Sequence, residues 1–296
     1  IRDRDKKGGV VPRFNQSKTV ACVDASFKVH DDVPEALRHG VFQKAATYPA
    51  FLRFANATKA DDSEKDIRGL SIRLSGVEGP MLWGESGVQD FLLNSYPALF
   101  VATPEAFLAF ILARQEGNEL GFFLNPLDSH LKSLWIVYKA RDKHLSPLDI
   151  RYWSTVPFRL GPADGPAVKY SVMPCSDYKT GKAVNPGENQ LRAAVGAHLR
   201  QAPACLSFGV QTQTSPESMP IEDATVIWDE DESPFVTLAT IIIPNQAVDD
   251  PNMLARCERS AFNPWQSLKA HEPIGRMNAV RREVYSAAAR VRNGPD

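Results

Sequence analysis

Ile67-Arg68-Gly69-Leu70-Ser71-Ile72-Arg73-Leu74 decides how this chain is read. Ile67, Leu70, Ile72 and Leu74 interleave with Arg68, Ser71 and Arg73, the period-two pattern of a strand with one face buried. Upstream, Phe51-Leu52-Arg53-Phe54-Ala55 alternates in the same way, and residues 19–29 have β-branched, roughly alternating character. Downstream, the short apolar run 90–94 predicts a fourth strand. Thr103-Pro104-Glu105-Ala106 then reads as a Thr N-cap with Pro at the first helical position, followed by the apolar stretch 107–112. Residues 131–140 and 188–200 also predict helix. Strand character returns at 168–173, 205–212, 224–228 and 235–243. From Pro251 the chain reads as helix with turns, ending in a helix over 277–292.

Four strands before the helices and four after them predict an α+β fold. The expectation is an antiparallel eight-stranded barrel with helices inserted in the middle and appended at the C-terminus. A closed barrel of that size can hold one ligand against its wall. Gly8-Gly9 ends a charged stretch, so residues 1–12 are expected to be an arm and 13–296 a single domain.

Composition narrows the function classes. Hydrophobic residues make up 43% and charged residues 23%, as in ordinary soluble globular proteins. A formal net charge of -1 offers no basic field for nucleic acid. No apolar run approaches the length of a membrane span. The charged start, Ile1 to Lys7, does not resemble a signal peptide, so a cytoplasmic protein is expected, with a removed leader left open by the start at Ile1. Cys22, Cys175, Cys205 and Cys257 are far apart with no CxxC pair. They read as small buried side chains in a reducing compartment, not as a zinc site or disulfide framework.

Several polar residues stand where chemistry is expected. Arg13, Asn15 and Gln16 lie just ahead of the first strand. Arg53 sits inside an apolar strand with no carboxylate near it in sequence. Burying it requires either a distant internal salt bridge or an anionic ligand, which the planar guanidinium suits. Asn94 ends the run Phe91-Leu92-Leu93; it suits a turn or a positioned amide. Near the C-terminus, Arg281-Arg282-Glu283-Val284-Tyr285 puts Arg281 and Tyr285 four residues apart on one helix face. That is an ordinary helix pairing, and also a way to favour a phenolate, since a nearby cation stabilises the ionised phenol. A tyrosinate is one of the side chains that hold haem iron.

The order of these segments resembles the catalase superfamily in its small, catalase-related branch, and is similar to the catalase-like allene oxide synthases of corals. The likeness is carried by residues 48–57, 66–74 and 90–95, by Ala261-Phe262-Asn263-Pro264-Trp265, and by Arg281 with Tyr285. The resemblance implies haem b, with Tyr285 as the proximal iron ligand and Arg281 keeping it ionised. It implies that Arg13, Arg53 and Arg292 receive the haem propionates, that Asn94 is the distal amide, and that Phe107 packs over the distal side. Phe107 reads equally well as a core residue of its helix. A peroxide or lipid hydroperoxide is the substrate class implied, and a homodimer is among the assemblies implied.

The chain departs from that family at one position with chemical weight. Where catalases carry a distal His, this chain has Gln16, and none of its six His falls nearby. Gln can orient a peroxide by hydrogen bonds but has no proton to shuttle near neutral pH. General acid–base catalysis is worth about 10²–10⁴-fold. Weak or absent hydrogen peroxide dismutation is therefore expected, with Gln16, Asn94 and Asn15 acting instead on an organic or fatty-acid hydroperoxide. A catalase-related peroxidase, a haem-binding or sensor protein without turnover, and a barrel for some other planar or lipidic ligand are the alternatives. Val20, Ala21 and Asp24 also depart from the small, glycine-rich pattern usual in that strand, so the family's local geometry does not carry over there by resemblance.

Overall fold

Among the residues that the computed structural model describes, 13, 15–126 and 129–293, four strands come first and a helical segment follows them. The strands are β1 (Lys18–Val29), β2 (Thr47–Asn56), β3 (Arg68–Ser75) and, after the short β4 (Met81–Trp83), β5 (Val88–Asn94). The helices are α1 (Pro104–Gln115), α2 (Glu119–Leu124) and α3 (Leu131–Ala140). Then come β6 (Tyr152–Trp153), β7 (Phe158–Arg159), β8 (Ala167–Pro174), α4 (Gln190–Gln201), β9 (Ala204–Thr212) and β10 (Val236–Ile243). The chain ends in α5 (Pro251–Arg259), β11 (Ser267–Leu268) and α6 (Arg276–Asn293). The arm expected over residues 1–12 lies outside the described residues.

Eight strands close into an antiparallel barrel in the order β6-β5-β3-β2-β1-β10-β9-β8, with a β6–β8 pairing sealing the ring. The α+β architecture is as expected, barrel first and helices inserted and appended, but one strand is not where the sequence put it. Residues 224–228 form no strand. Asp223 accepts from both the backbone N–H and the hydroxyl of Thr225, at 2.9 and 2.6 Å, which turns the chain there. Gln211 then holds this loop by donating to the carbonyls of Trp228 and Asp229. The eighth strand is instead β6, a two-residue pairing too short for any periodicity to announce.

Alternation sorts each strand into an inner and an outer face. Val23 and Phe27 on β1, Leu52 and Phe54 on β2, Leu70, Ile72 and Leu74 on β3, and Phe91 and Leu93 on β5 all enter one core. Rings fill the interior: Phe91 lies 4.9 Å from Phe208 and 5.1 Å from Tyr170, centroid to centroid. The barrel is thus packed solid, and a ligand must sit against its outside. Thr103 caps α1 by accepting from the Ala106 N–H, as the Thr-Pro signal predicts.

The four cysteines correct the sequence reading. They pair as Cys22–Cys257 and Cys175–Cys205, with Cα atoms 6.2 and 5.0 Å apart. These separations suit disulfides, and the cysteine argument for a reducing compartment falls with them. Residues 22 and 257 meet only because α5 lies on the outer face of β1, a contact that spacing in sequence does not encode.

One buried titratable group yields a testable property. His271 is fully buried; Nε2 accepts from the Val41 N–H at 3.0 Å, so a neutral ring carries its proton on Nδ1 and donates it to Tyr170 Oη at 2.9 Å. Burial, with the nearby His39 charge, pushes it down to about 3. The unfolded chain binds that proton below about pH 6.5, whereas the folded one does not until about pH 3. Stability should therefore fall on acidification through this window, by on the order of 4 kcal/mol at its lower end. Urea unfolding of His271→Gln across the same range should show a shallower pH slope than the wild type.

Candidate active site on the barrel wall

Outward-facing residues of neighbouring strands fall into two lateral rows. Cys22, Arg53, Ser71 and Leu92 are register partners across β1, β2, β3 and β5. Nearer one end, Thr19, Ala55, Gly69 and Asn94 form the second row. Between them β1 carries a register shift, between Thr19 and Ala21. Over the first row lies a cleft, closed on its other side by α6 and the segment leading to it. The helix presents Tyr285, Ala288, Ala289 and Arg292 to it, positions that share one face at helical spacing. Tyr285 packs into the apolar cluster of Phe51, Leu92, Phe262 and the Cys22–Cys257 pair.

Three guanidiniums converge here, from residue positions 13, 53 and 292. Arg13 pairs with Glu258 at 2.9 Å and donates to the carbonyls of Cys257 and Ser260. Arg53, 2% exposed, donates from Nε to Thr19 Oγ1 and from Nη2 to the Gln16 carbonyl. Arg292 donates to the Ser260 carbonyl at 3.0 Å. Burial, and then the charges of its arginine neighbours, push Arg53 down to about 9 and Arg292 to about 10. Glu258 is the sole carboxylate that meets this cluster among the described residues. The site is short of negative charge, and an anion carrying about two charges would relieve it.

Gln16 occupies the space above the second row. Its backbone is left-handed, φ 56°, fastened by its N–H to Asn15 Oδ1 at 2.9 Å and by its carbonyl to Arg53 at 2.8 Å. Its side chain donates from Nε2 to Asn94 Oδ1 at 2.9 Å. The room for it comes from Gly69, where a Cβ would stand 2.3 Å from Gln16 Oε1. Oε1 is buried and has no hydrogen-bond partner among the described residues. No His, Asp or Glu lines the cleft among the described residues.

Arg281 lies alongside Tyr285, its Nη2 3.5 Å from the phenol oxygen and its guanidinium 5.4 Å from the ring centre, while Nη1 donates to Asn278. Every polar residue expected of the site therefore gathers in or beside one cleft. Phe107 does not. It stands on α1, partly buried against a separate cluster, 6.0 Å from the Phe100 ring. Sequence reasoning missed Glu258, Ser71 and the role of Gly69, which only strand register reveals. It also quoted residues 261–265 without a role. Asp90, salt-bridged to Arg73 at 2.7 Å, receives the Asn263 N–H, and Trp265 donates to the Asn278 carbonyl. The segment thus fastens α6 to the barrel and sets the height of Tyr285 over the cleft.

The fold defined by this ring and its helices is the catalase fold. A fungal catalase superposes with TM-score 0.77 at 17% identity, over 99% of this chain and 61% of that one. A bacterial catalase gives 0.74, also at 17% and over 99% of this chain and 60% of its own. Catalase A from Saccharomyces cerevisiae gives 0.76 at 17%, over 99% and 63%. The chain thus spans about three fifths of the length of these proteins. No protein-family model matches it, and no curated protein does.

Proposed function

We propose that this protein binds haem b in the barrel-wall cleft and acts on an organic or fatty-acid hydroperoxide, as an oxidoreductase or lyase, with weak or absent dismutation of hydrogen peroxide. The observation that carries this reading is the cleft's chemistry: a phenol and three guanidiniums on one side of the balance, and amides with no titratable base on the other. The residues fit haem on the grounds of that donor set. Arg13, Arg53 and Arg292 would hold the two propionates, and Nη1 of Arg53 and of Arg292 have no acceptor among the described residues. Tyr285 would supply the iron ligand, and small Ala288 and Ala289 let a flat group lie close to α6. The iron would supply the redox centre for cleaving the O–O bond.

Gln16 and Asn94 would orient the peroxide group without taking its proton. Gln16 Oε1, an unused buried acceptor, suits a protonated oxygen. In the lyase form the O–O bond breaks within the substrate. One oxygen leaves as water with the hydroperoxide proton and a C–H proton, and the other closes as an epoxide, so no outside reductant is consumed. In the oxidoreductase form an organic co-substrate supplies two electrons, and the products are an alcohol and water.

The test is an optical titration of the purified protein with haem, followed by loss of the diene absorbance of a conjugated fatty-acid hydroperoxide. A tyrosinate-type ferric spectrum with diene loss is expected. Failure to bind haem would remove the cofactor reading. Haem binding without hydroperoxide turnover would favour the non-enzymatic alternative, and oxygen release from hydrogen peroxide at a catalase's rate would restore peroxide as substrate.

A further inference from the structure

The helical segment away from the cleft leaves apolar surface uncovered. α1 is apolar nearly all round, with Phe107, Leu108, Phe110, Ile111 and Leu112 in succession, yet none of its residues is buried. Helices of that kind are ordinarily enclosed. Leu108 and Leu112 stand 59% and 49% exposed. On α2 the outer residues are Leu120 and Leu124; on α3 they are Leu131, Trp135 and Tyr138, at helical spacing along one stripe. Seven of the sixteen large apolar side chains exposed among the described residues belong to these three short helices. Together they expose on the order of 700 Å² on helices that are neighbours in space, α1 against α2 and α2 against α3.

Two features on the same face identify what would cover it. Trp135 and Tyr138 stack at 5.8 Å, and Lys139 lies 4.8 Å over the Trp135 ring. Amphipathic rings beside a snorkelling lysine are the composition of a helix lying in a lipid interface. Beside Tyr138 opens a groove whose cations are Lys59, Lys65, Arg141 and Lys143 and whose lining includes Leu134 and Val137. Its one acidic lining residue, Glu64, is paired with Lys59. Lys65 and Lys143 have no ion-pair partner among the described residues. On α1 and α2, Glu105 and Glu119 are neutralised by Arg276 and Arg114, which leaves the α3 end as the basic one.

We propose that the outer face of α1–α3 docks on an anionic phospholipid surface, with leucines and the Trp135–Tyr138 pair entering the acyl boundary and the basic groove receiving headgroup phosphates. No described helix is long and apolar enough to cross a membrane, so the mode is attachment to one leaflet. The proposal does not depend on the cleft or its cofactor.

Co-sedimentation of the full chain with vesicles tests it, using phosphatidylcholine alone and phosphatidylcholine mixed with phosphatidylserine. Binding to the mixed vesicles, weakened by salt, is expected. The double variant Trp135→Ala/Tyr138→Ala should lose roughly 10-fold or more in affinity with unchanged thermal unfolding, since both side chains are exposed. Arg141→Gln/Lys143→Gln should lose roughly 10-fold on mixed vesicles only. Absence of binding to either vesicle overturns the proposal. So does light scattering that shows a dimer split by the Trp135→Ala/Tyr138→Ala pair, which would give the face to a second copy. Equal binding to both vesicle types, unaffected by the charge variant, overturns the role of the groove.

Discussion

Tyr285→Phe is expected to bind haem roughly 10²-fold or more weakly than the wild type, and to lose the charge-transfer band of a tyrosinate ferric haem. The magnitude follows from the ligand hierarchy: groups that merely orient a metal ligand are worth about 10–100-fold in affinity, and the ligand itself is worth more. Arg281, whose guanidinium reaches the phenol oxygen at 3.5 Å, is such an orienting group. Arg281→Ala should therefore fall between wild type and Tyr285→Phe in the same haem titration. The ring of Tyr285 is packed among Phe51, Leu92 and Phe262, and Phe preserves that packing, so the variant should fold normally by circular dichroism. Unchanged haem affinity and spectrum in Tyr285→Phe would show that the phenol is not the ligand.

The second large effect is a gain. Gln16→His should raise hydrogen peroxide dismutation by roughly 10²–10⁴-fold, the usual worth of a positioned acid–base group, and should lower turnover of the organic hydroperoxide. The structure favours this substitution in three ways. The left-handed backbone at φ 56° is one that His adopts more readily than most residues. Gly69 leaves room above the strand, and Asn94 Oδ1 already waits at 2.9 Å from the present donor. The change also removes a buried acceptor without a partner, Gln16 Oε1, so stability should hold or rise slightly. Oxygen evolution by purified wild type and variant decides it. A wild type as fast as the variant would mean that another group supplies the proton transfer.

Much of the site was legible before any coordinates. Arg53 announced itself because a guanidinium inside an alternating apolar strand is costly unless something anionic meets it. Arg281 and Tyr285 were legible from helical spacing alone. Asn94 and Gln16 stood out by their order in a family pattern, not by local chemistry, and their hydrogen bond across 78 residues has no sequence signal. Phe107 had two equal readings, because an aromatic on an apolar helix looks identical whether it faces a ligand or its neighbours; the structure packs it near Phe100, outside the cleft's lining. The strand expected at 224–228 failed because the side chain of Asp223 outbid the β-branched run that follows it.

What the sequence determined by itself was periodicity: which segments alternate, which wind, and which polar residues interrupt an apolar face. Those are properties of a few consecutive residues, and they suffice for a barrel with inserted helices and for a phenol beside a guanidinium. The tertiary structure alone decided which outward-facing residues become neighbours. Lateral register across four strands sets Arg53 beside Ser71 and Gln16 over Gly69. The laying of α5 and α6 on that wall brings Arg13 to Glu258, Cys22 to Cys257 and Arg292 to the same cleft. These contacts join residues more than two hundred positions apart, and their free energy comes from closing the ring, which no local stretch of the chain contains.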